Sequence, residues 1–267
     1  MCHKVFFFVP LRLEMRFFMH LAYDGTRYHG WQIQPNGISV EGEIERCLST
    51  LLRIPTDIVG AGRTDAGVHA RHMVAHFDVN PNVNLNPNQL AYKLNRMLPP
   101  DITIYKVEPV SEDMHARFSA CKRTYHYYIS TERNPFSRHY SWLCPYTLDF
   151  NKMNNAAQLL IGYQDFAAFC KSHTDVKTTL CDVTEAQWIQ EGKNWYFRIS
   201  ANRFLRNMVR AVVGTLIEVG RGRMTIEEFR QTIESRQRTK AGESMPANAL
   251  FLEHIEYDST FRTPHQC

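Results

Sequence analysis

Apolar and aromatic residues from Met15 to Tyr23 read as a strand that the Asp24-Gly25 turn closes. Val40, Ile44, Cys47, Leu48 and Leu51 then recur at helical spacing, which predicts one amphipathic helix with these positions in the core. Two apolar runs, Ile58-Val59 and Met73-Val74-Ala75, flank a stretch of small residues from Gly60 to Ala70, the pattern of a loop joining two strands. Beyond it His72, Val74, His76 and Asp78 alternate with Met73, Ala75, Phe77 and Val79, the period of a strand. An Asn/Pro-rich loop covers Asn80 to Asn88. Leu90, Leu94, Met97 and Leu98 predict a short helix ended by Pro99-Pro100, and a strand follows from Ile102 to Val110.

Around Ser111 to Asp113 the pattern weakens, and a soft boundary is placed there. From Lys122 to Ser130 the residues alternate again, with Tyr125, Tyr127 and Ile129 on one face and Thr124, His126 and Tyr128 on the other. A helix is expected over 152–161, strands near 180–189 and 195–201, and a longer helix from about Asn202 to Val219. In that helix Phe204, Leu205, Met208, Val209, Val212, Val213 and Leu216 form the apolar face. Residues 225–235 read as a surface helix and 250–257 as a closing strand. The division expected is an N-terminal extension over 1–14, one half over 15–112, a second over 113–258 and a tail over 259–267.

Composition narrows the class. A chain of 267 residues with 44% hydrophobic and 22% charged residues can bury a substantial core. A net charge of +4 permits an anionic partner without requiring one. The seven cysteines are odd in number, scattered and without a CxxC pair, as expected of reduced thiols in a cytosolic protein. No apolar run is long enough to span a membrane. Val5 to Val9 is cut short by Pro10, Arg12 and Glu14 and lacks a small-residue cleavage site, which disfavours a signal peptide.

The candidate chemistry centres on the loop Gly60 to Ala70, which holds three glycines and a single acid, Asp65. Glycine lets a ligand approach the main chain, and Arg63 two residues away favours an ionised carboxylate able to act as nucleophile or base. The same letters suit a tight turn whose Asp bonds its own backbone. A phosphate cradle is disfavoured, because the lysine and hydroxyl of a P-loop are missing and no GxGxxG pattern occurs. His69, His72 and His76 do not read as a metal site, since residues four apart on a strand lie about 13 Å from each other.

Two basic patterns remain. The aromatic strand around Tyr125 is flanked by Arg117, Lys122 and Arg123, an arrangement that can stack bases and hold phosphates; core packing with hydroxyls at the edge explains Tyr127 and Tyr128 better. On the expected 202–219 helix, Arg203, Arg206 and Arg210 fall within roughly 60° of one another at about 100° per residue, which suits either a solvated face or an anion lying over it.

The run Gly62-Arg63-Thr64-Asp65-Ala66-Gly67-Val68-His69-Ala70 resembles the signature of the TruA family of tRNA pseudouridine synthases. Four further motifs resemble that family in the same order: Tyr23-Asp24-Gly25, Tyr28 to Gln32, His115 to Ala120, and Asn207-Met208-Val209-Arg210. The resemblance runs from about Met15 to Tyr257. It implies an α+β pseudouridine synthase fold, with two α+β halves whose antiparallel sheets join into one extended sheet around a central cleft. It implies an isomerase, a tRNA pseudouridine synthase acting on uridines at positions 38, 39 and 40 of the anticodon stem-loop, cytoplasmic, homodimeric, and needing neither cofactor nor metal. By the same resemblance Asp65 is the catalytic carboxylate, Tyr125 lies against the target base, Arg210 enters the cleft, and Arg63 helps to hold the flipped nucleotide. Two rivals are weighed against this. A non-catalytic RNA-binding protein of the same fold would have no use for Asp65, because an acid facing RNA weakens binding. A small-molecule hydrolase would need Asp65 paired with His69 or His72 in one pocket.

Overall fold

The computed structural model describes residues 14–171 and 177–258; the tail and all of the expected extension except Glu14 lie outside the described residues. In chain order the strands and helices are β1 (Met15–Tyr23), α1 (Val40–Leu52), β2 (Val59–Gly60), β3 (His69–Val79), α2 (Pro87–Met97) and β4 (Ile102–Val110). They continue with β5 (Ala120–Ser130), β6 (Trp142–Leu143), α3 (Phe150–Gln158), β7 (Val183–Glu191), β8 (Asn194–Ala201), α4 (Met208–Gly220), α5 (Ile226–Ser235) and β9 (Leu250–Tyr257). The fold is α+β. All the described strands join one mostly antiparallel sheet in the order β4-β1-β3-β9-β5-β8-β7, with β2 beside β3 and β6 beside β5.

Side-chain alternation fixes the register. Phe17 pairs with Phe77 and Met19 with Ala75 across β1 and β3, and α1 buries Ile44, Cys47 and Leu48 in the same core cluster. A second cluster gathers β5, β7 and β8 with α3, α4 and α5 around Tyr127, Trp188, Phe197 and Phe229. Tyr125 packs against both. Between β3 and β9 the sheet is joined by only two parallel pairs, His69 with Phe251 and Ala70 with Leu252. Since β2 ends at Gly60 and β3 begins at His69, the intervening loop runs directly into that seam.

Local signals explain most element ends. The Ser39 hydroxyl accepts from the Gly42 amide to cap α1, Pro87 follows the capping Asn86 of α2, and Thr225 with Glu228 closes a capping box on α5. The expected start of the long helix is corrected. Asn207 sits in the left-handed region at φ 67° and α4 begins only at Met208, so Arg203 and Arg206 precede the helix and share no helical stripe with Arg210. Arg203 instead donates to the Thr178 and Leu180 carbonyls. Tyr127 also differs from expectation: its hydroxyl is buried without a hydrogen-bond partner among the described residues, whereas the Tyr128 hydroxyl donates to Glu253 at 3.0 Å.

Histidines cluster on part of the sheet. His72 stacks between His20 and His254, with ring centroids 5.4 and 4.8 Å away, and its Nδ1 accepts from the Ile255 amide. Burial, aided by neighbouring positive charge, lowers the imidazoles of His72, His76 and His126 to about 4. Unfolding restores a value near 6.5, so the unfolded chain takes up these protons first. Stability is therefore expected to be complete above about pH 6.5 and to be lost as pH falls toward 4. Urea midpoints measured from pH 7.5 to about 4.5 should show this decline, and His72→Gln should make it shallower; an unchanged slope in that variant would contradict the assignment.

Candidate active site

The Asp65 loop is held by the turn after β1. The Trp31 amide donates to the Thr64 carbonyl at 3.3 Å, the Gly67 amide donates to the Tyr28 carbonyl at 3.3 Å, and the Tyr23 and Thr64 hydroxyls share a 2.8 Å hydrogen bond. Gly30 makes this approach possible. It sits at φ +97°, and a Cβ there would come within 2.3 Å of the Thr64 carbonyl oxygen. The Val68 amide donates to the Asp65 carbonyl at 3.1 Å, closing a turn through Gly67 at φ +79°. The loop's shape is thus set by backbone contacts, which leave the Asp65 side chain free to point elsewhere.

It points to arginines. Arg210, in the first turn of α4, donates from Nη1 to Asp65 Oδ2 at 3.3 Å. The Arg210 Nε donates to the Met245 carbonyl at 2.6 Å, and the Met245 amide donates back to the Arg210 carbonyl. Arg206 places its Nε 3.7 Å from Asp65 Oδ1. These two cations are held unequally: the Arg210 side chain is 20% exposed and anchored, the Arg206 side chain 58% exposed. Asp65 keeps 26% of its side-chain surface open, enough for a ligand to meet it.

Tyr125 projects from β5 with its ring edge-on to Phe204, centroids 5.0 Å apart at 82°. Burial pushes its phenol up to about 12; the nearby Arg123 charge opposes the rise and the Asp65 charge adds to it. Asp65 and Arg123 each lie within electrostatic range of Tyr125, and the phenol is neutral at physiological pH. Asp65, Arg210 and Tyr125 therefore share one region. Arg63 is exposed and makes no hydrogen bond or ion pair with a described residue, its charge bearing instead on Glu41.

Neither histidine of the hydrolase reading joins Asp65. His69 is 1% exposed, its Nδ1 accepts from the Gly25 amide at 3.0 Å and its Nε2 donates to the Asn248 carbonyl at 3.2 Å, so both ring nitrogens are occupied. It faces a separate hollow of about 270 Å³ lined by Asp24, Arg71, Asp101, Tyr105 and Tyr140, and Asp65 is not among the lining residues. His72 is enclosed in its imidazole stack. Sequence reasoning missed Arg206 as a neighbour of Asp65, because helical spacing grouped it with Arg203 and Arg210 on one stripe suited to a solvated face or to an overlying anion. It also missed the role of Tyr23 in bonding the loop, which no local pattern announces.

A family profile described as tRNA pseudouridine synthase matches residues 19–119 and 156–258. The chain is 56% identical to a protein named tRNA pseudouridine synthase A from Bacteroides fragilis over 243 residues, covering 91% of this chain and 96% of the relative. It is 53% identical to the protein of that name from Porphyromonas gingivalis, covering 91% and 98%. A third of the same name, from Acetivibrio thermocellus, is 41% identical over 89% of this chain and 97% of the relative.

The loop's backing can be tested with a pair of alanines. Gly30→Ala combines a positive φ with a 2.3 Å approach to a carbonyl and should lower stability by about 2–3 kcal/mol. Nothing lies within 4 Å of a Cβ at Gly62, and Gly62→Ala should cost under about 1 kcal/mol. Urea denaturation of both variants reads the difference, and equal losses would mean that the contact with Thr64 does not hold the loop.

Proposed function

This chain belongs to the tRNA pseudouridine synthase family, and from that premise we propose that Asp65 is the carboxylate with which it isomerises uridine to pseudouridine at positions 38, 39 and 40 of the tRNA anticodon stem-loop. The observation that carries the assignment is the meeting of Asp65 with Arg210 beside Tyr125, in a loop whose backbone is already fixed.

The reaction breaks the bond from ribose C1′ to uracil N1, turns the ring and joins C1′ to C5. The C5 proton leaves and N1 gains one, so atoms and electrons balance without an oxidant or a reductant. Asp65 serves as nucleophile at C1′ or as base at C2′, and both routes use the ionised carboxylate. Arg210, tied to Met245, orients that carboxylate. The Tyr125 ring lies against the uracil, where a flat apolar surface supports a base that must still rotate and a neutral phenol is a poor rival nucleophile. Bringing the uridine out of the stack costs a few kcal/mol. Arg63, exposed and unpaired among the described residues, is suited to hold the everted nucleotide. The proposal extends to a cytoplasmic homodimer, for which sedimentation at micromolar concentration is the measurement.

Incubation with tRNA carrying tritium at uridine C5 should release the label to water, because substitution at C5 displaces it. Asp65→Asn should abolish release while tRNA binding stays near normal; release close to the unsubstituted rate would remove Asp65 from the mechanism. Arg206, loosely held at 3.7 Å, is free to exchange Asp65 for a backbone phosphate. Arg206→Gln should therefore weaken tRNA binding and reduce the slope of log affinity against log salt by about 1. An unchanged slope would exclude that phosphate contact.

A further inference from the structure

Arg123 differs from Arg206 and Arg210, the two arginines against Asp65, in facing no acid among the described residues. Its Nη1 donates to the Ala120 carbonyl at 2.9 Å and the Asn202 carbonyl at 2.6 Å. Its Nη2 donates to the Ala61 carbonyl at 3.1 Å and the Arg117 carbonyl at 2.6 Å. Among the described residues no carboxylate is hydrogen-bonded or ion-paired to it, and burial pulls the guanidinium below its ordinary value, though an arginine remains charged. Taking a cation out of water is costly unless its donors are satisfied, so a residue needed only to fill this space would be cheaper as an apolar side chain. The four acceptors come from four places: the stem of the Asp65 loop, the turn at 115–119, the start of β5 and the residue after β8.

Ala61 is the point where the loop leaves β2. Its amide donates to the Val74 carbonyl at 2.8 Å, and Arg123 holds its carbonyl, so this residue is clamped on both sides. Arg123 and Tyr125 are two residues apart on β5 and share one face of the strand. The strand that carries the ring against which the base would lie also carries the clamp on the loop that bears the carboxylate. We propose that Arg123 is a positioning residue: by holding the Ala61 carbonyl it sets the placement of Asp65 relative to Tyr125. The inference rests on Asp65 being the catalytic carboxylate. A lysine keeps the charge but lacks the planar fork that reaches several carbonyls at once.

The test is Arg123→Lys, compared with the unsubstituted protein in three measurements: single-turnover tritium release, tRNA affinity by filter binding, and amide exchange of the 62–67 segment. Displacing a reacting group by about 1 Å can cost 10²-fold, so release should slow by about 100-fold while the dissociation constant moves by no more than about threefold. Exchange in 62–67 should quicken while β1 and β3 keep their protection. A folded variant with unchanged release and exchange overturns the proposal. Rate and affinity falling together would do the same, since that marks a binding residue, as would a variant that does not fold, since that marks a strut for the whole fold. Absence of release from the unsubstituted protein would overturn the functional reading alone, because the exchange measurement does not depend on activity.

Discussion

The contact between Asp65 and Arg210 joins side chains 145 residues apart, and the site depends on their arriving together. Both side chains are partly exposed, so solvent screens the pair and its contribution to stability is small. Its importance is geometric. Asp65 comes from a loop whose backbone is bonded to the turn after β1, and Arg210 from a helix whose first turn is bonded to Met245. Each partner is fixed without the other, so the pair can lend its charge and direction to a substrate without being needed to hold the fold.

The loop that bears Asp65 enters the sheet at the short parallel seam between β3 and β9. Two residue pairs are enough to continue the sheet, yet they leave room beside the seam for chain that belongs to neither strand. A loop entering a seam would carry unmet backbone groups if it were left alone. The contacts from Tyr28, Trp31 and Val74, with Arg123 on the Ala61 carbonyl, meet several of them. Small residues are required along the loop because the supporting backbone approaches so closely, as the space denied to a Cβ at Gly30 makes plain.

Much of this was legible in the sequence, and the exceptions have two causes. Strands β4 and β9 have the bounds read from the sequence, and α1 has the apolar spacing that places Ile44 and Leu48 in the core. The loop around Asp65 was legible as a loop. The start of α4 was not, because the left-handed Asn207 that delays it leaves no mark in the hydrophobic period: Phe204 and Leu205 are apolar whether they lie on a helix or on the chain leading to it. Placing Arg206 and Arg203 on one stripe followed from that single misplaced boundary. Tyr127 and Arg123 escaped for a different reason. Alternation says which face a side chain takes but not whether its polar end finds a partner, and only the packed structure separates an orphaned hydroxyl from a guanidinium that meets four carbonyls.

Charge near Asp65 is unbalanced in a way that packing alone does not call for. Arg206 and Arg210 lie against Asp65, Arg63 stands exposed, and Arg123 is partly buried with no carboxylate hydrogen-bonded to it among the described residues. Self-repulsion among these cations lowers stability, and a fold under no other demand would relieve it with acids or apolar groups. A polyanion relieves it from outside instead. Arg206 and Arg63 are the more exposed ones, whereas Arg210 and Arg123 are tied to main-chain carbonyls. The tied cations would then hold the geometry of the carboxylate while the loose ones exchange partners, so the site need not rebuild itself on each encounter.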